Sequence, residues 1–303
     1  MRRVGLALRC SAGTLTAKMP LPLWRALLGL GLLCAAGAQT SEEFAETMLR
    51  RYADRARLRA RAGRLPLAVH VGPSLLSEAD LNFYQSMRSA GPFRAVLVEP
   101  NPRLAARLEE RILSGGIDPQ HVTVLNKAVC RTSGQHVSFY RYSASLLEDF
   151  PDAASMLDKM DEWGTLEGPQ FLLHDVGVKT EHYWRRLPGA IQPRWESYVE
   201  EVPVPCVTPP QLLAAAAAQP QDVDFMIVDA EGLDIEIVHT LLGNPRFQPA
   251  VLQFEWVHAT HNFTGRMRGI EDRTMRILRM LARRGYSIDR MGVDMVAMAP
   301  AGA

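Results

Sequence analysis

DFMIVDAEGLD, residues Asp224 to Asp234, contains an apolar run, Phe225 to Val228, that leads directly into Asp229, Glu231 and Asp234. Branched and aromatic residues without alternation read as a strand buried on both faces, as in a parallel sheet covered by helices. In an open α/β sheet a ligand sits beyond the carboxyl ends of the strands, where the chain turns into the next helix. The carboxylates therefore stand where a cleft opens. Asp229-Ala230-Glu231 also has the Asp-x-Asp-like spacing that holds a divalent metal on a nucleotide sugar. Asp234 and Glu236 equally suit the first turn of a helix, where acids complement the dipole.

The same strand-then-helix rhythm extends in both directions. LAVHV (67–71), AVLVEP (95–100), VTVLNKAV (122–129) and AVLQFEW (250–256) read as buried strands. Helical spacing of apolar residues marks 78–91, 101–116, 208–218, 233–242 and 273–285. Alternation of this kind predicts an α/β fold, a mainly parallel sheet with helices on both faces and right-handed crossovers. GYSIDRMGVDMVAMAP (285–300) supplies a closing antiparallel hairpin. Residues 143–197, with Trp163, Trp184, Trp195 and several prolines, break the rhythm and read as an insertion covering one end of the sheet.

No acidic residue precedes Glu42, whereas Arg2, Arg3, Arg9, Lys18 and Arg25 do. An apolar stretch then ends in Ala36-Gly37-Ala38, the small-x-small form of a signal-peptidase site. Residues 1–38 are thus expected to be a targeting segment leading to the secretory pathway, in the ER or Golgi lumen or outside the cell. An organelle transit peptide, for plastid or mitochondrion, is the alternative. Cys130 and Cys206 follow this segment and allow either a disulfide or two buried thiols. Asn262-Phe263-Thr264 is a glycosylation sequon. Residues 39–64 read as a basic amphipathic helix, whose arginines form a solvated face or touch an anionic membrane or substrate. The remaining unit is one domain, 65–300. With Lys+Arg 34 against Asp+Glu 33 in 303 residues, the chain has no global basic field, and no nucleic-acid partner is expected. Membrane contact is expected only through the N-terminal segment.

Other strand ends carry further candidates. Glu99 follows AVLV, where an acid is placed to accept both hydroxyls of a ribose; it also suits a helix start. Asn126 ends the next strand and either meets an adenine edge or forms the turn. Glu255, His258 and His261 follow AVLQF, and their spacing does not share one helical face as His-Glu-x-x-His does, so loop histidines lining a cleft are the better reading. No metal site is expected.

These strand ends occur together and in order. VEPNP (98–102), NKAV (126–129) with VSFY (137–140), VPVPCVTPPQLL (202–213), VDFMIVDAEGLDIEIVHTLL (223–242) and PAVLQFEW (249–256) resemble the FkbM family of S-adenosylmethionine-dependent methyltransferases. Ile227-Val228-Asp229-Ala230-Glu231-Gly232 stands where that family has a signature like Lys-Ile-Asp-Val-Glu-Gly, with the lysine missing. The resemblance implies a Rossmann-like methyltransferase fold, S-adenosylmethionine as cofactor, Glu99 on its ribose, and Asp229 and Glu231 facing the sulfonium or the methyl acceptor. It also implies that Gly72 and Ser74 lie on the cofactor, with Asn126 a further cofactor candidate from its strand-end position. The family's Asp-Val-Gly-Ala-Asn run is here His70-Val71-Gly72-Pro73-Ser74, where Pro73 removes a backbone donor.

For methyl transfer to an oxygen, a base must stand within hydrogen-bond reach, and the candidates are Asp229, Glu231 and His258 in that order. The expected acceptor is a hydroxyl of a sugar, glycan or small metabolite. The alternatives are a catalytically degenerate fold kept as a binding module and a metal-dependent glycosyltransferase using Asp229-Ala230-Glu231.

Overall fold

The computed structural model describes residues 8–10, 41–132, 134, 136–149, 164–166, 168–169, 197–230, 232–256, 270–291 and 294–300. Along the chain these form β1 (Leu8–Cys10), α1 (Ser41–Arg61), β2 (Leu67–Val71), α2 (Glu78–Ala90), β3 (Arg94–Val98), α3 (Pro102–Ser114), β4 (Val122–Leu125), β5 (Ala128–Val129) and β6 (His136–Tyr142). After α4 (Ser145–Asp149) come β7 (Val199–Val207), α5 (Pro209–Ala215), β8 (Val223–Val228), α6 (Asp234–Leu242), β9 (Val251–Glu255), α7 (Ile270–Arg283), β10 (Ser287–Met291) and β11 (Asp294–Met298). The main sheet runs β1-β10-β11-β9-β8-β2-β3-β4. β4, β3, β2, β8 and β9 are mutually parallel, and β11 is antiparallel to both β9 and β10. Seven of these strands make the Rossmann-like methyltransferase sheet with its closing hairpin. β1, inside the segment expected to be a targeting peptide, adds a parallel edge strand beside β10.

Burial on both faces follows from the apolar runs. One layer joins sheet residues such as Val69, Met226 and Leu252 to Leu212, Val238 and Leu281 of α5, α6 and α7. The opposite layer joins Leu97 and Phe225 to Tyr52, Tyr84, Met87 and Leu108 of α1, α2 and α3. VTVLNKAV does not stay one strand. Lys127 N–H turns back onto the Leu125 carbonyl at 2.9 Å, and β5 leaves the main sheet to pair with β7. β7 also pairs antiparallel with β6, so a three-stranded sheet, β5-β7-β6, stands beside the first.

α1 docks through one buried carboxylate. The register between β2 and β8 slips at the start of β8, so that Leu67 faces Val223, Ala68 faces Phe225, and Asp224 is the extra residue of a bulge. Its side chain, fully buried, accepts from Leu67 N–H at 3.1 Å and from Arg59 Nε at 3.1 and 3.0 Å. Burial still raises the Asp224 carboxyl above its ordinary range, against the lowering pull of Arg59. The solvated-face reading of the α1 arginines therefore fails for Arg59, which ties the helix to the sheet. Asp224→Ala strands a guanidinium and an amide N–H, and urea unfolding is expected to show a loss of about 3 kcal/mol. Arg64→Ala, which removes an exposed pair with Asp222, is expected to change stability by less than about 1 kcal/mol.

Candidate active site

The chain builds β2, β3 and β4 to one side and returns to lay β8 and β9 on the other, which makes β2 and β8 neighbours at the topological switch point. Asp229 N–H donates to the Val71 carbonyl at 2.9 Å, and Gly72 N–H donates to the Val98 carbonyl at 2.9 Å, so three strand ends are stitched together. Gly72 has φ +72°, and a Cβ there would lie 1.7 Å from the Asp229 carbonyl oxygen. Only glycine fits that approach. Pro73 then turns the chain, its carbonyl accepting from Leu76 N–H at 2.9 Å, and Ser74 and Leu76 both take positive φ, 50° and 56°.

This turn lies over Glu99. The buried Glu99 side chain accepts from Ser74 N–H at 3.0 Å through Oε2 and from Asn101 N–H at 2.8 Å through Oε1. Burial pushes its pKa up to about 7, and the two amide bonds oppose that rise without cancelling it. Beside it opens a cavity of about 530 Å³ over the ends of β2, β3 and β8, within the range of small-molecule sites. Gly72, Ser74, Glu99 and Asp229 all line it. Asp229 is exposed to it.

Among the described residues, Asn126 does not line this cavity. Asn126 spends its amide nitrogen on the carbonyls of Glu99 and Pro100, at 2.9 and 3.1 Å, which fixes the β3–α3 turn. Glu231 and His258 lie outside the described residues. Asp234 is buried and accepts from Ala230 and Gly232 N–H at 2.9 and 3.2 Å, closing the loop after β8. Of the three carboxylates after that strand, Asp234 is thus committed to the turn.

Several cavity residues were not singled out from the sequence: His70, Asp80, Lys127, Phe139, Gln253 and Asp294. His70 is buried, its Nδ1 lies 3.3 Å from the Tyr84 hydroxyl, and burial lowers its pKa while Asp80 pulls it up, so the ring is held neutral. Gln253 donates to Asp294 at 3.2 Å on the side of β9 and β11. Gly164 and Thr165, from the expected insertion, form another wall. Thr165 exchanges two backbone bonds with Tyr140 at 2.9 and 3.0 Å, and a Cβ on Gly164 would strike the Phe139 ring at 1.9 Å. A polar residue inside an otherwise apolar strand run was a usable signal for His70 and Gln253.

The small sheet braces the cavity rim. Arg141 donates to Glu200 at 2.7 Å and to Asn101 at 2.6 Å, and Arg103 donates to Glu200 at 3.0 Å. Asn101, fully buried, caps α3 by accepting from Arg103 N–H at 3.1 Å. Cys130 and Cys206, with Cα atoms 6.1 Å apart, are joined as a disulfide that ties the end of β5 to β7.

The methyltransferase FkbM domain matches residues 80–288. The chain belongs to the FkbM methyltransferase family. No curated protein and no solved structure matches it. The match begins at Asp80, so the His70–Ser74 turn of this FkbM protein lies before the matched residues.

Methyltransferases of this family generally use S-adenosylmethionine, and the residues present fit a nucleoside cofactor. The Glu99 oxygens carry one N–H bond apiece, from Ser74 and Asn101, and keep lone pairs for ribose hydroxyls. Ser74 Oγ is buried without a hydrogen-bond partner among the described residues, at the cavity wall.

Two outcomes follow from this geometry. Gly72→Ala is expected to cost about 3 kcal/mol or more in urea unfolding, because the new methyl meets backbone in a left-handed conformation. Glu99 holds its proton more tightly when folded than when unfolded, with a pKa near 7 against an ordinary 4.5. Its contribution to stability is therefore fully present below about pH 4.5 and is lost as pH rises through about 7. Glu99→Gln is expected to flatten that part of the stability profile, measured by denaturant midpoints at successive pH values.

Proposed function

We propose that this FkbM protein transfers a methyl group from S-adenosylmethionine to a hydroxyl of a sugar, glycan or small metabolite. The observation that carries the reading is Glu99. It is a buried carboxylate at the carboxyl end of β3, aimed by two amide N–H bonds at a cavity that also holds the unpartnered Ser74 hydroxyl and Asp229. When bound, S-adenosylmethionine supplies an electrophilic methyl group on a sulfonium.

The chain's own residues have separable parts in this reading. Glu99 and Ser74 hold the ribose, with Gly72 keeping the strand ends close enough for the turn to reach it. Asp229, exposed at the end of β8, takes the proton of the acceptor hydroxyl. Glu231 and His258 remain proposed as further groups at the acceptor. Lys127, Gln253 and Asp294 offer the hydrogen-bonding variety that a polyhydroxyl acceptor requires, and Phe139 offers an apolar face. The 6.1 Å Cα separation of Cys130 and Cys206 allows the disulfide that a secretory, oxidising location would form.

A second reading, a binding module that has lost catalysis, is favoured by the altered His70–Ser74 turn. Methyltransferase membership gives no support to a glycosyltransferase. Calorimetry with S-adenosylhomocysteine on the full-length protein is expected to show micromolar binding, weakened at least tenfold by Glu99→Ala. Ribose hydroxyls favour the ionised form of Glu99, so binding near pH 7 is expected to release protons, seen as a heat that varies with buffer ionisation enthalpy. Mass spectrometry of a glycan panel is expected to show a 14 Da gain that Asp229→Asn reduces about a hundredfold or more. Tight cofactor binding with no methylated product would favour the binding module, and no cofactor binding by folded protein would overturn the proposal.

A further inference from the structure

A second cavity, of about 330 Å³, lies between α1 and the turns that flank β9 and β11. Ala250 precedes β9 and Ala299 follows β11, whereas the first cavity lies beyond the opposite end of β9. The two cavities share no residue.

The charge in this cavity comes from one wall. Arg51, Arg55, Arg57 and Arg61 line it with Asp54 as the single acid, while Ala250, Ala299 and Pro300 make the facing wall small and uncharged. Four guanidiniums against one carboxylate leave a formal charge of +3, in a chain whose net charge is +1. The helical spacing of Arg51, Asp54, Arg55, Leu58 and Arg61 places them on one stripe of α1. A stripe needed only for solubility has no reason to be so one-signed, because like charges three or four apart repel.

The arginines are not equally free. Arg55 is the anchored one. Its side chain is 19% exposed, it donates to the Gln248 carbonyl at 3.4 Å, and it lies 3.9 Å from the buried Asp224. Arg57 pairs with exposed Asp54, an interaction worth little against a competing ligand. Arg51 and Arg61 have no hydrogen-bond or ion-pair partner among the described residues. One guanidinium is therefore preorganised at the base, and others stand at the rim ready to close on a ligand. Leu58, an exposed large hydrophobic side chain, sits among them.

We propose that this cavity binds a phosphate or sulfate ester carried on a soluble ligand. Guanidinium groups match such tetrahedral oxyanions with paired N–H donors, and several of them together take a multiply charged group. The concavity favours a discrete ligand over a flat membrane surface, and the uncharged facing wall leaves room for the group that bears the ester. The site is independent of methyl transfer, and nothing in it depends on the cofactor.

The test uses the full-length protein, with calorimetry against two probes, a heparin tetrasaccharide and inositol hexakisphosphate. Binding of at least one is expected, weakening several-fold between 50 and 200 mM salt as ionic contacts are screened. Arg51→Ala/Arg61→Ala is expected to lose at least tenfold in affinity while keeping its thermal midpoint and S-adenosylhomocysteine binding. Arg276→Ala/Arg279→Ala, which removes the same charge from exposed positions of α7 on the opposite face of the sheet, is expected to change affinity less than twofold. Preference for one probe identifies the ester as sulfate or phosphate. Failure of both probes to bind, or equal losses in the two double variants, would overturn the proposal. So would sedimentation with phosphatidylserine vesicles that neither probe displaces, which would assign the arginines to a membrane surface.

Discussion

The close approach of Gly72 to the Asp229 carbonyl is the constraint on which the rest of the site depends. β2 and β8 are neighbours, and Asp229 N–H reaches the Val71 carbonyl only because position 72 has no side chain. Once the strand ends are that close, the chain leaving β2 cannot continue forward and must fold back over β3. That path carries Ser74 N–H onto Glu99 and leaves Asp229 at the mouth of the cavity opposite it. A single missing Cβ thus connects sheet packing to the relative placement of two carboxylates from strands that are not adjacent.

Two buried acids in this fold show how the same penalty is met in different ways. Asp224 and Glu99 are both raised by burial. Asp224 is compensated by a guanidinium, an amide N–H and a location shut off by α1, so all its capacity goes into holding a helix on a sheet. Glu99 receives only amide N–H bonds, each worth a few kcal/mol at most to a charged acceptor, too little to restore its ordinary acidity. It faces a cavity instead of a helix. A carboxyl left near pH 7 with unused lone pairs gains from any ligand that brings hydroxyl donors, whereas Asp224 has nothing left to gain.

The strands were legible because burial on both faces demands unbroken apolar runs, and the helices because their caps and spacing are local. Glu99 and Asp229 were legible as strand-end residues for the same reason, whereas Gly72 came only from the family resemblance. What stayed hidden depends on pairings across long separations. The bulge at Asp224 exists only in the register between β8 and β2, and sequence offers no way to see Arg59 arriving 165 residues away. Asn101, Arg141 and Glu200 form one bracing network although they come from three distant segments. Asp234 was ambiguous for the opposite reason. Its partners are two and four residues away, and a local turn clamp looks the same on paper as a ligand-facing acid. The departure of β5 from the main sheet followed from a turn at Asn126 and Lys127 that an apolar count over VTVLNKAV overrides.

The turn around Pro73 is held in a costly conformation. Left-handed backbone at non-glycine residues costs on the order of 1 to 3 kcal/mol, and Ser74 and Leu76 both adopt it. The strain is held by the Pro73–Leu76 bond, by burial of Leu76, and by the Ser74 N–H bond to Glu99. The last of these strengthens when Glu99 is ionised, since charge-assisted bonds are roughly twice as strong as neutral ones. Protonated Glu99 therefore leaves the turn less supported, and a ligand that draws Glu99 toward its ionised form tightens the turn at the same time. In this chain the turn after β2 and the acid after β3 are energetically one unit, joined by the Ser74 N–H bond to Glu99.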